Sequence, residues 1–288
     1  DSGNLTVFNL NVRHGSGTND YSTGVLECNI ASQSITDLGD MFRSQNEQKH
    51  PWIERFEYFG TCNVTDWAYA FYDSGIQYFK ATSPNATDAR YLFYSSSIRY
   101  LHGKLGSGSC NAQYMFQHST NINEMPSTWD LTGFSNVGYM IGFSSLGTFG
   151  TVDNPIALPD NADALQFARA TATLREVNIA SGYFKGNMQL LFYQSKMLTA
   201  VRGLNGTAIT SLSQAFYQAY SLQTLESSNI VVSFDLSSCN FSTQGLIDIF
   251  NDLATATATI TVTGNPGTAG LSAGNLAIAT DKGWTVTT

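Results

Sequence analysis

The sequence predicts an α/β repeat fold: a solenoid of short helix–turn–strand units with a non-repeating segment at either end. Three observations carry that expectation. First, NVTDWAYAFYDSGIQYF (63–79), NATDARYLFYSSSIRYL (85–101) and AITSLSQAFYQAYSLQTL (208–225) place like residues at like offsets. Second, apolar residues follow the Asp or Ser of each stretch at plus one, plus four and plus five, which is one face of a 3.6-residue helix. Third, small polar residues then stop that face, and an apolar pair three apart opens a short extended piece.

Length and composition bound what such a chain does. Its 288 residues are 42% hydrophobic, enough for a continuous core. Only 12% are charged, so Ser, Thr, Asn and Gly make most of the surface, and the net charge is −8. That sign disfavours nucleic acid, which needs a basic stripe, and adhesion to anionic lipid headgroups. No apolar run reaches the roughly 18–20 residues of a membrane span, so membrane insertion is not expected. The opening DSGNLTVFNLNV shows neither the basic nor the long apolar region of a signal peptide. Cys28, Cys62, Cys110 and Cys239 are scattered without a C-x-x-C pair and read as single buried thiols.

Residues 1–34 form an N-terminal cap or an attachment segment. LTVFNLNV alternates as a strand, HGSGTNDYSTG is turn-rich, and VLECNIA is a second strand. Residues 35–239 hold about eight units centred on Phe42, Phe71, Phe93, Phe116, Ile141, Phe167, Phe192 and Phe216, spaced 22 to 29 residues apart. Five positions earlier stand Asp37, Asp66, Asp88, Asn111, Asn136, Asn187 and Ser211, which read as a column of helix N-caps. Only the Phe167 unit breaks the column, with Ala162 beside Asn161. The pairs that follow are Ile76/Phe79, Ile98/Leu101, Ile122/Met125, Leu146/Phe149, Leu174/Val177, Leu198/Val201 and Leu222/Leu225. A turn delivers the first inward, and a strand carries the second. Residues 240–288 read as a capping unit: a helix from Phe241–Gln244 onward, the strand ATITVTG, a helix in LSAGNLAIATDKG and the strand WTVT.

Chemistry-bearing motifs are missing. His14, His50, His102 and His118 share no metal-ligand spacing, and no nucleophile elbow, zincin or P-loop motif occurs. GKLGSGS at Gly103 lacks the strand-to-helix setting of a phosphate cradle, and no acid–base carboxylate pair stands out. The expectation is a non-enzyme with no cofactor and no metal. Aromatic rows stand out instead. Tyr72, Tyr94, Tyr193 and Tyr217 each follow a reference phenylalanine, and Tyr69, Tyr91, Tyr114 and Tyr139 precede one by two. Such rows either meet a sugar or protein ligand or stack to stiffen the solenoid. The insertion RSQNEQKHPW, with His50 and Trp52, is either a further contact element or a shield for the end of the stack.

The F-Y-x-S/A segments before an apolar pair resemble the BspA-like class of leucine-rich repeats, with Met-Phe at 41–42 and 115–116 and Leu-Phe at 92–93 and 191–192. The tail Ser242–Thr287, with LIDIFNDLA, TITVTG and LAIATDKGWTV, is similar to the ending of many phage-encoded members. Ser or Ala replaces the usual turn Cys, as in a divergent member. The resemblance implies a leucine-rich-repeat-like solenoid on a bacteriophage virion surface: a tail-fibre, tail-tip or head-surface adhesin. Its partners would be a host cell-surface protein or glycan and, through the N-terminal segment, other virion proteins; homo-oligomerisation stays open. The alternatives are a decoration protein without host ligand and a cellular BspA-like adhesin at the cell surface.

Overall fold

The computed structural model describes residues 5–13, 24–43, 53–60, 62–158, 162–182 and 184–288. It is a mostly parallel β-solenoid of about ten coils. Strands stack on two sides of each coil. The first side holds β1 (Leu5–Arg13), β2 (Gly24–Ser32), β3 (Arg55–Tyr58), β4 (Tyr78–Ser83), β5 (Tyr100–Leu105) and β7 (Trp129–Asp130) in that order. It continues through β9 (Thr148–Phe149), β10 (Ile156–Ala157), β12 (Glu176–Ser181), β14 (Ala200–Asn205) and β16 (Thr224–Ser228). The second side holds β6 (Cys110–Asn111), β8 (Phe134–Asn136), β11 (Ala162–Asp163), β13 (Phe184–Asn187) and β15 (Ala208–Ser211). Single parallel bridges Asp37–Asp66–Asp88–Asn111 extend it toward the N-terminus.

The N-terminal strands form as expected. β1 pairs antiparallel with β2, and β2 pairs parallel with β3, so the hairpin closes the first sheet's edge. The turn-rich 14–23 and the insertion residues 44–52, with His50 and Trp52, lie outside the described residues.

The apolar pairs stack in register. Phe56 lies opposite Phe79 and Phe79 opposite Leu101, while Phe149, Val177, Val201 and Leu225 form the same column further on. Phe42, Phe71, Phe93 and Phe116 stack at 5.4–5.8 Å within 15° of parallel, and meet Phe56 and Phe79 edge-on. Two phenylalanine columns at right angles thus fill the first half of the core, a favoured aromatic arrangement. Gly103 shows how tightly the coils approach. It adopts φ +110°, and a Cβ there would lie 2.0 Å from the Ala81 carbonyl, so no other residue fits. The glycine-rich GKLGSGS stretch thus begins inside a strand, because Gly103–Leu105 belong to β5.

The expected helices of the repeat are absent. The segments 68–73, 90–95, 113–118, 138–143, 165–170, 189–194 and 213–218 are runs of tight turns. Tyr69, Tyr91, Tyr114 and Tyr139 take φ between 57° and 61°, and four residues on Asp73, Ser95, His118 and Phe143 take φ between 52° and 61°. A right-handed helix cannot pass through such residues. The hydrogen bonds explain the choice. In the second coil Trp67, Tyr69, Phe71 and Asp73 donate main-chain N–H groups to Asp88, Arg90, Leu92 and Tyr94 of the next coil, at 2.8–3.0 Å. The backbone is satisfied between coils rather than four residues back along the chain.

The seven expected helix caps are corrected accordingly. Side-chain oxygens of Asp37, Asp66, Asp88, Asn111, Asn136, Asn187 and Ser211 each accept the N–H two residues on, at 2.7–3.2 Å. That is the Asx- or Ser-turn bond; it opens a turn run instead of a helix. The apparent gap at Ala162 closes as well. Asp163 holds the column position, and its carbonyl accepts Val137 N at 2.6 Å as Asn136 accepts Ala112. Phe167 therefore occupies the plus-four place and Ala168 the plus-five place, large and small exchanged, and both are buried.

Helices do form at the C-terminus. Ser242 caps α1 (Thr243–Asp252), which buries Leu246, Ile249 and Phe250, and Ser272 with Asn275 makes a capping box for α2 (Ala273–Thr280). They alternate with the parallel strands β17 (Phe234–Asp235), β18 (Thr259–Thr261) and β19 (Thr285–Thr287). Trp284 is 2% exposed, meets Phe234 edge-on at 5.9 Å and donates Nε1–H to the Ala254 carbonyl. All four cysteines are free and buried, and burial pushes the Cys110 and Cys239 thiols up to about 12.

Candidate functional site

The turn runs place two aromatic rows on the outside of the coils. At plus three from the column, Tyr69, Tyr91, Tyr114 and Tyr139 stack face to face, with centroids 4.7, 4.6 and 4.7 Å apart and planes within 22°. The positive φ at this offset is the strained choice for tyrosine, so each ring sits where backbone strain is offset by inter-coil bonds and ring stacking. At plus six, Tyr72 and Tyr94 stack at 4.8 Å with planes 2° apart. His118 then meets Tyr94 edge-on at 5.3 Å and lies flat on Phe143 at 5.0 Å.

Of the sequence-predicted site residues, Tyr72 stands with Tyr94 and Tyr193 with Tyr217, the latter at 5.1 Å and 18°. The two pairs are not one ladder, because Gln117, Gly142 and Arg169 hold the plus-six place in the coils between them. Cations close the rows. The Arg43 guanidinium lies 4.6 Å from the Tyr69 centroid and 5.2 Å from that of Tyr72, and bonds Asp40. Arg169 lies 5.8 Å from Phe143 and 5.6 Å from Tyr193, linking the two halves. Sequence reasoning missed Arg43, Arg169, His118 and Phe143. Arg43 and Arg169 were findable, since both stand six residues after a column aspartate, where Tyr72 stands.

Burial pushes the Tyr91, Tyr94 and Tyr114 phenols up, and neighbouring tyrosines add to the shift. Burial also lowers the His118 imidazole, while the Asp73 carboxylate beside Tyr72 adds to the upward push on Tyr94. Rings stacked this closely have their faces occupied by one another; their edges and hydroxyls remain for a ligand. Tyr217 is 48% exposed and stacks on Tyr193 on one side alone among the described residues.

The first sheet's outer face offers less. Its charges neutralise one another: Glu57 with Arg55 and Lys80, Lys104 with Asp130, and Arg202 with Glu176 and Glu226. No family model, no curated protein and no solved structure matches the chain.

Proposed function

We propose that this chain is a non-enzymatic bacteriophage virion surface protein that contacts the host, as a tail-fibre, tail-tip or head-surface adhesin. The aromatic strip carries the binding part of that reading. Tyrosine gives a large contact area with a polar tip at low entropic cost, and the coil ladder holds each ring in place before a ligand arrives. A hydroxyl-rich, sparsely charged surface suits a glycan or a protein receptor better than a polyanion. The phage assignment is supported by the resemblance of Ser242–Thr287 to the ending of phage-encoded BspA-like chains. The N-terminal segment is the proposed attachment to other virion proteins.

One observation favours a second reading, a decoration protein without host ligand. The rings of Tyr69 through Tyr139 spend their faces on one another, which is what a stiffening rib requires. Binding of the purified chain to intact bacterial cells separates the two. Saturable binding, reduced at least tenfold in a folded Tyr72/Tyr94/Tyr193/Tyr217→Ala variant, is the expected outcome. Equal and unsaturable adsorption of both proteins would leave decoration standing and remove the adhesin.

A further inference from the structure

The coil ladder breaks after the eighth coil. In the seventh, Met188, Leu190, Phe192 and Gln194 donate their N–H groups to the carbonyls of Ser211, Ser213, Ala215 and Tyr217. The equivalent donors of the eighth, Leu212, Gln214, Phe216 and Gln218, have no main-chain acceptor among the described residues. Leu212 and Phe216 are each only 1% exposed, so their unpaired N–H groups are poorly compensated by water. The Asp235 and Ser237 carbonyls hold the places that would accept the first two donors, and they receive no N–H. Between the two walls lies a cavity of about 500 Å³, lined from 210 to 214 on one side and from 232 to 235 on the other. Tyr217 stands on the same turn run, its N–H on the Gln214 carbonyl at 3.2 Å. One face of its ring lies on Tyr193 of the coil before. The other face therefore looks to the side where the free N–H groups point, and the residue is half exposed.

We infer that this opening binds a neutral oligosaccharide. The main chain of one wall only donates and that of the other only accepts, so a ligand spanning them must accept and donate with the same group. A hydroxyl does both, and a sugar carries several at close spacing. An extended peptide strand, with N–H and C=O alternating along each edge, does not match walls of one kind. A further turn run would match, but the coils close on either side of the opening. There Gly206 N–H bonds the Ser228 carbonyl and Asn240 N–H bonds that of Leu222, which leaves no room for a whole coil. An anion would meet the donors and then the Asp235 carboxylate and carbonyl, in a chain of net charge −8. The open face of Tyr217 offers the C–H side of a sugar ring an apolar surface with a polar tip. The Ser211 and Ser233 hydroxyl oxygens accept the N–H groups of Ser213 and Thr259, and their own protons donate to no group among the described residues. A cavity of this volume lies in the range of small-molecule sites and takes a short stretch of sugar. The site is separate from the row of Tyr69 through Tyr139 and does not depend on host contact; a chain that binds no cells would leave it standing.

Amide hydrogen exchange of the full chain, resolved by residue, tests it against a panel of neutral hexasaccharides built from glucose, mannose or galactose. In the free protein the Leu212 and Gln214 amides should exchange roughly a hundredfold faster than Met188 and Leu190 one coil earlier. A panel sugar at about ten times its dissociation constant should slow them roughly tenfold and leave Met188 and Leu190 unchanged. Tyr217→Ala should weaken that sugar about tenfold. Ser233→Trp, which fills the cavity, should abolish the effect while Met188 stays protected. Exchange at Leu212 and Gln214 as slow as at Met188 without sugar would mean that the coils are closed, and would overturn the inference. So would the absence of protection by every panel sugar at about 50 mM, a level that reveals even millimolar affinity. Protection by sodium sulfate, or by a peptide of alternating Thr and Ala, in place of the sugars would overturn it too.

Discussion

The eight regular coils and the C-terminal units solve one problem in two ways. Both send a strand up one side and bury an apolar face on the way back. The regular coils return through turn runs whose N–H groups bond the following coil, as Trp67 through Asp73 bond Asp88 through Tyr94. The C-terminal units return through α1 and α2, whose groups bond within the helix. A turn run is therefore complete only when another coil follows, whereas a helix is complete alone. The end of the stack needs the second kind, and α1 lies beside β16, where Asp252 accepts the Ser227 N–H. The ladder of N–H bonds breaks at the changeover, where the N–H groups of Leu212, Gln214, Phe216 and Gln218 meet no main-chain acceptor among the described residues.

The sharpest way to break this comparison is to remove one element of each kind. A chain ending at Asn240 lacks both helices and leaves β16 without α1 and β17 without β18. It should yield no soluble monomer, through aggregation along the exposed edge. Deleting residues 67–88 removes a whole coil of 22 residues (88 − 66) and joins Asp66 to Ala89, one column position to its equivalent neighbour. That protein should remain monomeric by size-exclusion chromatography and lose only about 5 °C in Tm. A soluble truncation with an insoluble deletion would reverse the assignment of roles.

Much of this was legible in the sequence, and the reason it was not all legible is physical. The period, the buried plus-one, plus-four and plus-five positions and the apolar pairs depend only on which residues leave water, and Phe71, Leu92, Ile98 and Leu101 are fully or almost fully buried. The return conformation was misread because a six-residue turn run and a short helix bury the same offsets. The distinguishing feature, positive φ at Tyr69 and Asp73, carries no glycine or asparagine to announce it. A weak signal did exist: Tyr, Ser and Phe are poor helix formers, and these segments lack the i,i+4 ion pairs of exposed helices. The tail was read correctly because Ser242 and Ser272 are ordinary caps before clear apolar periodicity. The break in the ladder after the eighth coil could not be read, since it arises from a partner that departs rather than from any residue of that coil.

A smaller effect tests whether the tyrosine rows belong to the regular coils as structure. Tyr91 is sandwiched between Tyr69 and Tyr114, so Tyr91→Ala loses two stacks and should cost roughly 2 kcal/mol in chemical denaturation. Tyr217→Ala loses one stack and should cost about 1 kcal/mol. Position 91 has φ 58°, so Tyr91→Gly should be more stable than Tyr91→Ala by about 1 kcal/mol, opposite to the order in a helix. An alanine variant more stable than the glycine one would restore the helical reading of this segment.

The smallest effect lies on the first sheet, where the regular coils use charge. Glu57 is 6% exposed, and its carboxylate takes bonds from Lys80 at 2.5 Å and Arg55 at 2.9 Å. Burial pushes the carboxyl up, but the bonds and charges of Lys80 and Arg55 outweigh it and leave the group below its ordinary value. A carboxylate lowered by folding contributes stability above its unfolded value, near 4.3, and loses it as pH falls through the folded one. Glu57→Gln should therefore be less stable than the parent at pH 7 by up to about 1 kcal/mol, since Lys80 and Arg55 are both open to solvent. Between pH 4.5 and pH 3 that difference should shrink toward zero as the parent's carboxylate protonates. Thermal melts of both proteins across that range check the sign. A difference that grows on acidification would mean that desolvation, not the two cations, governs this carboxyl.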